Sequence, residues 1–183
     1  MTLWAVMAQA QDAEGALSGN DYAGLFERYA DQVEQPAPDQ RILELDGPVI
    51  LREVRRADGR LRYTAVDQSS GGAAGCLLRV LAEASAVVKS CPDVLPEAAG
   101  LRLNASLRRA AQFYADNAYP KRELSELEAQ IAAFIDGRTS SSICSALKDD
   151  QMQFLEALSS PSSQRSIEKS LAQPRLPVMH PCL

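Results

Sequence analysis

Four cysteines, Cys76, Cys91, Cys144 and Cys182, constrain this chain more than any other feature. An even count points to a disulfide framework if the chain leaves the reducing cytosol. The N-terminal residues fit that condition. Leu3-Trp4-Ala5-Val6-Met7-Ala8 is an apolar run, Ala8-Gln9-Ala10 is a small-x-small triplet, and polar Gln11-Asp12 follows. That order reads as the end of a secretory signal peptide cleaved after Ala10. The run is short and lacks a basic n-region, so residues 1–20 are assigned as a signal-peptide remnant and spacer. The expected location is periplasmic or secreted. The competing reading is four unpaired buried thiols in a cytosolic protein.

Periodicity places the cysteines on a scaffold. Asn20 or Asp21 caps a helix from Tyr22 to about Val33, with Leu25, Phe26, Tyr29 and Val33 on one face. Pro36 and Pro38 end it. Segments 41–45, 49–55 and 60–66 alternate and are separated by Asp46-Gly47 and Asp58-Gly59, which are hairpin turns because glycine supplies positive φ. They form a three-stranded antiparallel meander. After Ser69-Ser70-Gly71-Gly72 the period becomes helical. Leu77, Val80, Leu81, Ala84, Val87 and Val88 share a face from Ala73 to Ser90. Leu103, Leu107, Ala110, Ala111 and Tyr114 mark a second helix that closes near Asn117. Pro120 opens a third, with Leu124, Leu127, Ile131, Phe134 and Ile135 inward and Gly137 just past its end. Ser140 to Ser142 cap a fourth that carries Ile143, Leu147, Phe154, Leu155 and Leu158. From Ser159 on the chain is rich in Ser and Pro. Ser166 to Ala172 allow one or two helical turns, and residues 173–181 are extended.

Helix length then prunes the three possible connectivities. Cys76 and Cys91 bracket one helix, and fifteen residues at about 1.5 Å each separate them by roughly 22 Å. A disulfide needs Cα atoms within about 7 Å. Short connections make neighbouring helices antiparallel, so Cys91 meets Cys144 and Cys76 is left for Cys182. The second bond clips the proline-rich tail to the domain. Each bond closes a loop worth roughly 3–5 kcal/mol in the chain-entropy model. A zinc site is disfavoured, because no C-x-x-C pair exists and His180-Pro181-Cys182 offers two ligands only.

The chain therefore reads as α+β and predominantly α: an N-terminal helix, a small three-stranded antiparallel meander, and a bundle of about four helices with an extended C-terminal tail. Residues 21–158 are expected to be a single globular domain, and 159–183 a tail clipped back by a disulfide. Hydrophobic residues make up 46% of the 183, enough for a core, and no run approaches the roughly 18 apolar residues of a membrane span. A net charge of -5 and 5% aromatic residues disfavour nucleic acid as the partner.

Catalytic chemistry finds few candidates. His180 is the only histidine, which removes the usual base of a Ser or Cys hydrolase, and paired cysteines supply no thiolate. Ser69-Ser70-Gly71-Gly72 lacks the lysine and strand of a phosphate loop and reads as a connector. Asp149-Asp150 and Glu123 with Glu126 are the visible carboxylate pairs, and both fit exposed helix starts. Asn104-Ala105-Ser106 is a glycosylation triplet inside a helix.

The most unusual local feature is Arg52, Arg55, Arg56, Arg60 and Arg62 against Glu53 and Asp58, a local +3 in an acidic chain. One reading is a docking surface for another protein or an acidic envelope component. The other is a solvated sheet face whose charges block edge-to-edge pairing. The favoured function is an exported, disulfide-stabilised interaction module, of the kind an inhibitor, an immunity-type antagonist or an envelope assembly factor needs. No cofactor is expected. The alternatives are an envelope-polymer hydrolase using paired carboxylates and a structural domain without a specific ligand.

Overall fold

The computed structural model describes residues 19–182, so the leader reading lies almost wholly outside the described residues. The architecture is α+β and mainly helical. In chain order it runs α1 (Tyr22–Arg28), a 3-10 turn (Ala30–Gln32), β1 (Glu34–Ala37), β2 (Gln40–Leu45), β3 (Val49–Arg55) and β4 (Leu61–Asp67). Then come α2 (Ala74–Ser90), a 3-10 turn (Pro92–Val94), α3 (Glu97–Asn117), α4 (Leu124–Arg138), α5 (Ser142–Ala146), α6 (Asp149–Leu158) and α7 (Pro161–Ser170).

The first helix is shorter than its apolar spacing predicts. Asp21 caps it by accepting from the Gly24 N–H at 2.9 Å. It stops at Arg28, and Val33 is already extended. The reason is the next segment. Glu34–Ala37, where Pro36 is expected only to end the helix, forms a fourth strand on β2, with Glu34 opposite Ile42 and Ala37 opposite Gln40. A register irregularity between those pairs accommodates the proline at the sheet edge. The sheet is thus four antiparallel strands in the order β1-β2-β3-β4, not three.

One face of the sheet is core. Leu43, Leu51 and Ala65 fall on one row by register, and all are buried with Leu25 and Phe26 of α1. Each of the leucines and Phe26 is worth about 1.5–3 kcal/mol when fully buried. Gly47, in the β2–β3 turn at φ 88°, also sits where a Cβ would come within 2.5 Å of the Arg175 Cβ. The turn therefore needs glycine for its backbone and for its close approach to the tail.

Helix α2 lies between two cores. Leu78, Leu81, Ala82 and Ala84 join the helical cluster, while Cys76 joins the sheet cluster. This is why its buried set extends beyond the single face that periodicity marks. In the helical cluster α2 packs on α3 and α4, and α3 also packs on α7. Leu103, Tyr114, Leu127, Phe134 and Leu171 fill the centre.

Three helix boundaries differ from expectation. Pro120 does not open a helix, since α4 begins only at Leu124; Gly137 lies inside it. The segment expected as one fourth helix is two, α5 and α6, broken at extended Leu147 and Lys148. Beyond Ser159 the chain forms a ten-residue helix, α7, rather than one or two turns. Ser160 caps it by accepting from the Ser163 N–H at 3.1 Å, and Pro161 opens it.

The C-terminal segment is extended but belongs to the core. Leu176 and Val178 are buried in the sheet cluster. The Asp67 N–H donates to the His180 carbonyl at 2.8 Å, and the Gly75 N–H to Val178 at 2.9 Å. At Gly75 a Cβ would meet the Val178 carbonyl at 2.7 Å, so only glycine allows that approach. Two disulfides join Cys91 to Cys144 and Cys76 to Cys182, with Cα atoms 5.6 Å and 5.2 Å apart.

Candidate functional site

The arginine hairpin is β3 and β4 with the turn at Asp58-Gly59. Strand alternation splits its arginines. Arg52 lies opposite Thr64 and Arg62 opposite Val54, on the sheet face away from the core. Arg55 pairs with Leu61 on the other face, and Arg56 and Arg60 sit in the turn. All five are exposed. Among the described residues only Arg60 has a carboxylate within salt-bridge distance, Asp58 at 3.9 Å. Both are exposed, and such a pair contributes about 0–1 kcal/mol. The hairpin therefore carries cations around its tip and along one face, rather than on one plane.

The outward face adds an apolar element that residue counting misses. Ile50 and Val54 are half-buried and Val66 is 39% exposed, on the same face as Arg52 and Arg62. Beneath the hairpin, on the core face, Glu53 is buried and receives a bidentate contact from Arg41 at 2.5 and 2.7 Å. The Arg41 guanidinium also lies over the Phe26 ring, 5.1 Å from its centre. The hydrogen bonds from Arg41 hold the Glu53 carboxyl below its ordinary value of 4.5, against the opposing effect of burial. Because the folded-state value is depressed, this stabilisation is complete above pH 4.5 and is lost as pH falls through the lower folded value. Acid unfolding followed by circular dichroism should therefore be less steep in Glu53→Gln than in the wild type. Equal pH dependence would contradict the assignment.

The other sequence candidates are placed on surfaces. Asp149 and Asp150 occupy the exposed first turn of α6. Glu123 and Glu126 stand exposed at the start of α4. The Ser69–Gly72 connector is held by the tail: Ser170 donates to the Gly71 carbonyl at 2.7 Å and Arg175 to Gly72 at 2.8 Å. Among the described residues no three His, Cys, Asp or Glu side chains gather as a metal site requires.

A groove of about 740 Å³ opens beside α1. Four segments distant in sequence build it: the end of α1, the β2–β3 turn, the α3–α4 connection and the tail. Buried Leu25 and Leu176 contribute apolar surface, as does half-buried Leu45. The Arg28 guanidinium lies 5.6 Å from the Tyr29 ring centre and 5.5 Å from that of Tyr119. Lys121, Glu44, Asp46 and Asp116 add charge, and Asp116 accepts from Gln112 of its own helix at 2.9 Å. Asn20 fixes the walls, accepting from the Tyr119 N–H at 2.9 Å and donating to the Pro177 carbonyl at 2.8 Å. None of these lining residues shares a local motif, so the sequence carries no signal for them beyond the Asp46-Gly47 turn.

No protein-family model matches the chain, and no curated protein or solved structure matches it either. No helix among the described residues is long and apolar enough to cross a membrane.

Proposed function

We propose that this chain is an exported interaction module, braced by its two disulfides, that docks an acidic protein through the β3–β4 hairpin. The observation that carries the reading is the hairpin itself: five exposed arginines, of which one has a carboxylate partner among the described residues. Guanidinium groups with no carboxylate within salt-bridge distance can make bidentate contacts to a partner's carboxylates. Such charges steer encounter and select partners more than they add affinity. The half-exposed apolar side chains beside Arg52 and Arg62 supply the water-excluding part that charge alone lacks. Two disulfides fit a compartment in which thiols are oxidised.

The test uses the full chain as bait in an envelope extract, with chemical cross-linking and mass spectrometry. A captured acidic protein should cross-link within residues 52–62 and elute as salt rises. Arg55, Arg56 and Arg60 changed together to Ser should reduce its recovery about tenfold, since desolvated charge contacts cost about 1.4 kcal/mol or more. Equal recovery by the triple variant would retire the hairpin. Alkylation of the untreated bait, purified from its native compartment, should find no free thiol; free thiols there would overturn the export half of the reading.

A further inference from the structure

The groove beside α1 has a property the hairpin lacks: it holds both signs of charge without pairing them. Arg28 and Lys121 line it together with Glu44, Asp46 and Asp116, the last accepting from Gln112 of its own helix, while Arg175, also in the lining, is buried and spent on Asp67. Among the described residues no ion pair joins Arg28 or Lys121 to Glu44, Asp46 or Asp116. Arg28, Lys121, Glu44 and Asp46 are all exposed, so each can turn toward a guest without leaving a core. The apolar side chains between them are held in place. Leu25 and Leu176 are buried, and the walls are tied by Asn20 to both the Tyr119 N–H and the Pro177 carbonyl. Tyr29 and Tyr119 stand within cation–π distance of Arg28 and limit where its guanidinium can go. The volume, about 740 Å³, lies in the range of small-ligand sites.

A guest with one charge would meet its own sign somewhere in this groove. A guest carrying an ammonium and a carboxylate at opposite ends meets a partner at both. We propose that the groove binds a short peptide by its two charged termini, the carboxylate at Arg28 and Lys121 and the ammonium at Asp46 and Glu44. The peptide side chains then rest on the apolar surface of Leu25, Leu45 and Leu176. The guanidinium suits the carboxylate because it offers a planar pair of donors, and the tyrosine rings beside it limit the freedom that binding would otherwise remove.

Isothermal titration with tri- to penta-alanine tests this. The free peptides should bind, and N-acetylated or C-amidated counterparts should bind about tenfold more weakly, the factor expected for losing one charge-assisted contact. Arg28→Gln should weaken the free peptide about tenfold while leaving the amide unchanged. Asp46→Asn should do the same with respect to the acetylated peptide. Both positions are exposed, so melting temperatures should match the wild type and confirm that folding is intact. No binding at millimolar peptide, or equal binding of free and blocked peptides, would overturn the proposal. A blocked-amine peptide that binds as well as the free one would reassign the groove to anions and overturn it equally. Neither result touches the hairpin reading, whose variants lie on other strands.

Discussion

Arg175→Met should destabilise the fold by about 3–5 kcal/mol, the cost of leaving a buried charge without its partner. Arg175 is an arginine in a segment that its prolines mark as an extended tail, yet its side chain is 1% exposed. Every donor it has is used. Nε donates to Asp67 Oδ2 at 2.6 Å. Nη1 donates to the carbonyls of Ser170 and Gln173 at 2.7 and 3.2 Å. Nη2 donates to the Gly72 carbonyl at 2.8 Å and to the Ser170 hydroxyl at 3.4 Å. The guanidinium also lies 5.4 Å from the centre of the Phe113 ring. One side chain thus joins the last residue of β4, the connector before α2, the end of α7 and helix α3. Asp67, fully buried at its side chain, spends its other oxygen on the Ser69 N–H at 2.8 Å. Removing Arg175 leaves the buried Asp67 carboxylate with the Ser69 N–H alone and takes the donor from three part-buried carbonyl contacts. Asp67→Asn should be milder, because the amide oxygen still accepts from Arg175. Pairing Arg175→Met with Asp67→Leu should recover part of the loss by removing both charges. Recovery should stop short of wild type, because the Ser170, Gln173 and Gly72 carbonyls stay unpartnered. Urea unfolding under non-reducing conditions measures all four proteins, and the single Met variant should melt on the order of 10 °C lower. A loss under 1 kcal/mol would mean water enters the site and the pair is not the anchor it resembles.

That anchor also marks the limit of what sequence can show. The elements read correctly are those whose signals are local and mutually consistent. Asp58-Gly59 between alternating strands gave the β3–β4 hairpin, and the span from Ala74 to Ser90 has a helical period with Pro92 behind it. Helix length excluded a Cys76–Cys91 bond, and the antiparallel run of neighbouring helices then paired Cys91 with Cys144; both are geometric rather than statistical arguments. The elements missed depend on distant partners. Pro36 argues against a strand in isolation, and becomes acceptable only because β1 is an edge with an irregular register. Ser160-Pro161 is a good helix start, but a low-hydrophobicity stretch becomes a stable α7 only where Ile167 and Leu171 reach the helical core. The arginines of the hairpin are visible as a cluster, while their distribution over two faces and a turn follows from strand register. The groove is invisible for a stronger reason: its charged residues come from segments as far apart as Arg28 and Lys121, and nothing in either neighbourhood refers to the other.

The two disulfides should fail in different ways, although both close long loops. Cys76–Cys182 spans 106 residues and Cys91–Cys144 spans 53, so the chain-entropy model assigns each about 4–5 kcal/mol. What differs is the native state each leaves behind. Without Cys76–Cys182 the tail still has Arg175, buried Leu176 and Val178, and the hydrogen bonds to Asp67 and Gly75. Replacing both cysteines by Ala should therefore lower global stability by up to that amount while the tail stays docked, because the loss arises in the unfolded chain. The other bond holds a weaker segment. Residues 139–148 include no buried position, and α5 has none among its five residues. Besides the disulfide, its polar tether to α2 among the described residues is the Ser140 N–H donating to the Ser90 hydroxyl at 3.1 Å. With Cys91 and Cys144 both changed to Ala, this segment should open locally at a free energy well below that of global unfolding. Native-state hydrogen exchange separates the cases: protection should collapse across residues 139–148 in the second variant, and persist at the Asp67 and Gly75 amides in the first. If the Asp67 and Gly75 amides exchange freely once Cys76 and Cys182 are gone, the disulfide holds the tail and Arg175 does not. That result would also require the single Arg175→Met variant to lose much less than its expected 3–5 kcal/mol, so the two experiments test one account of how the C-terminus is held.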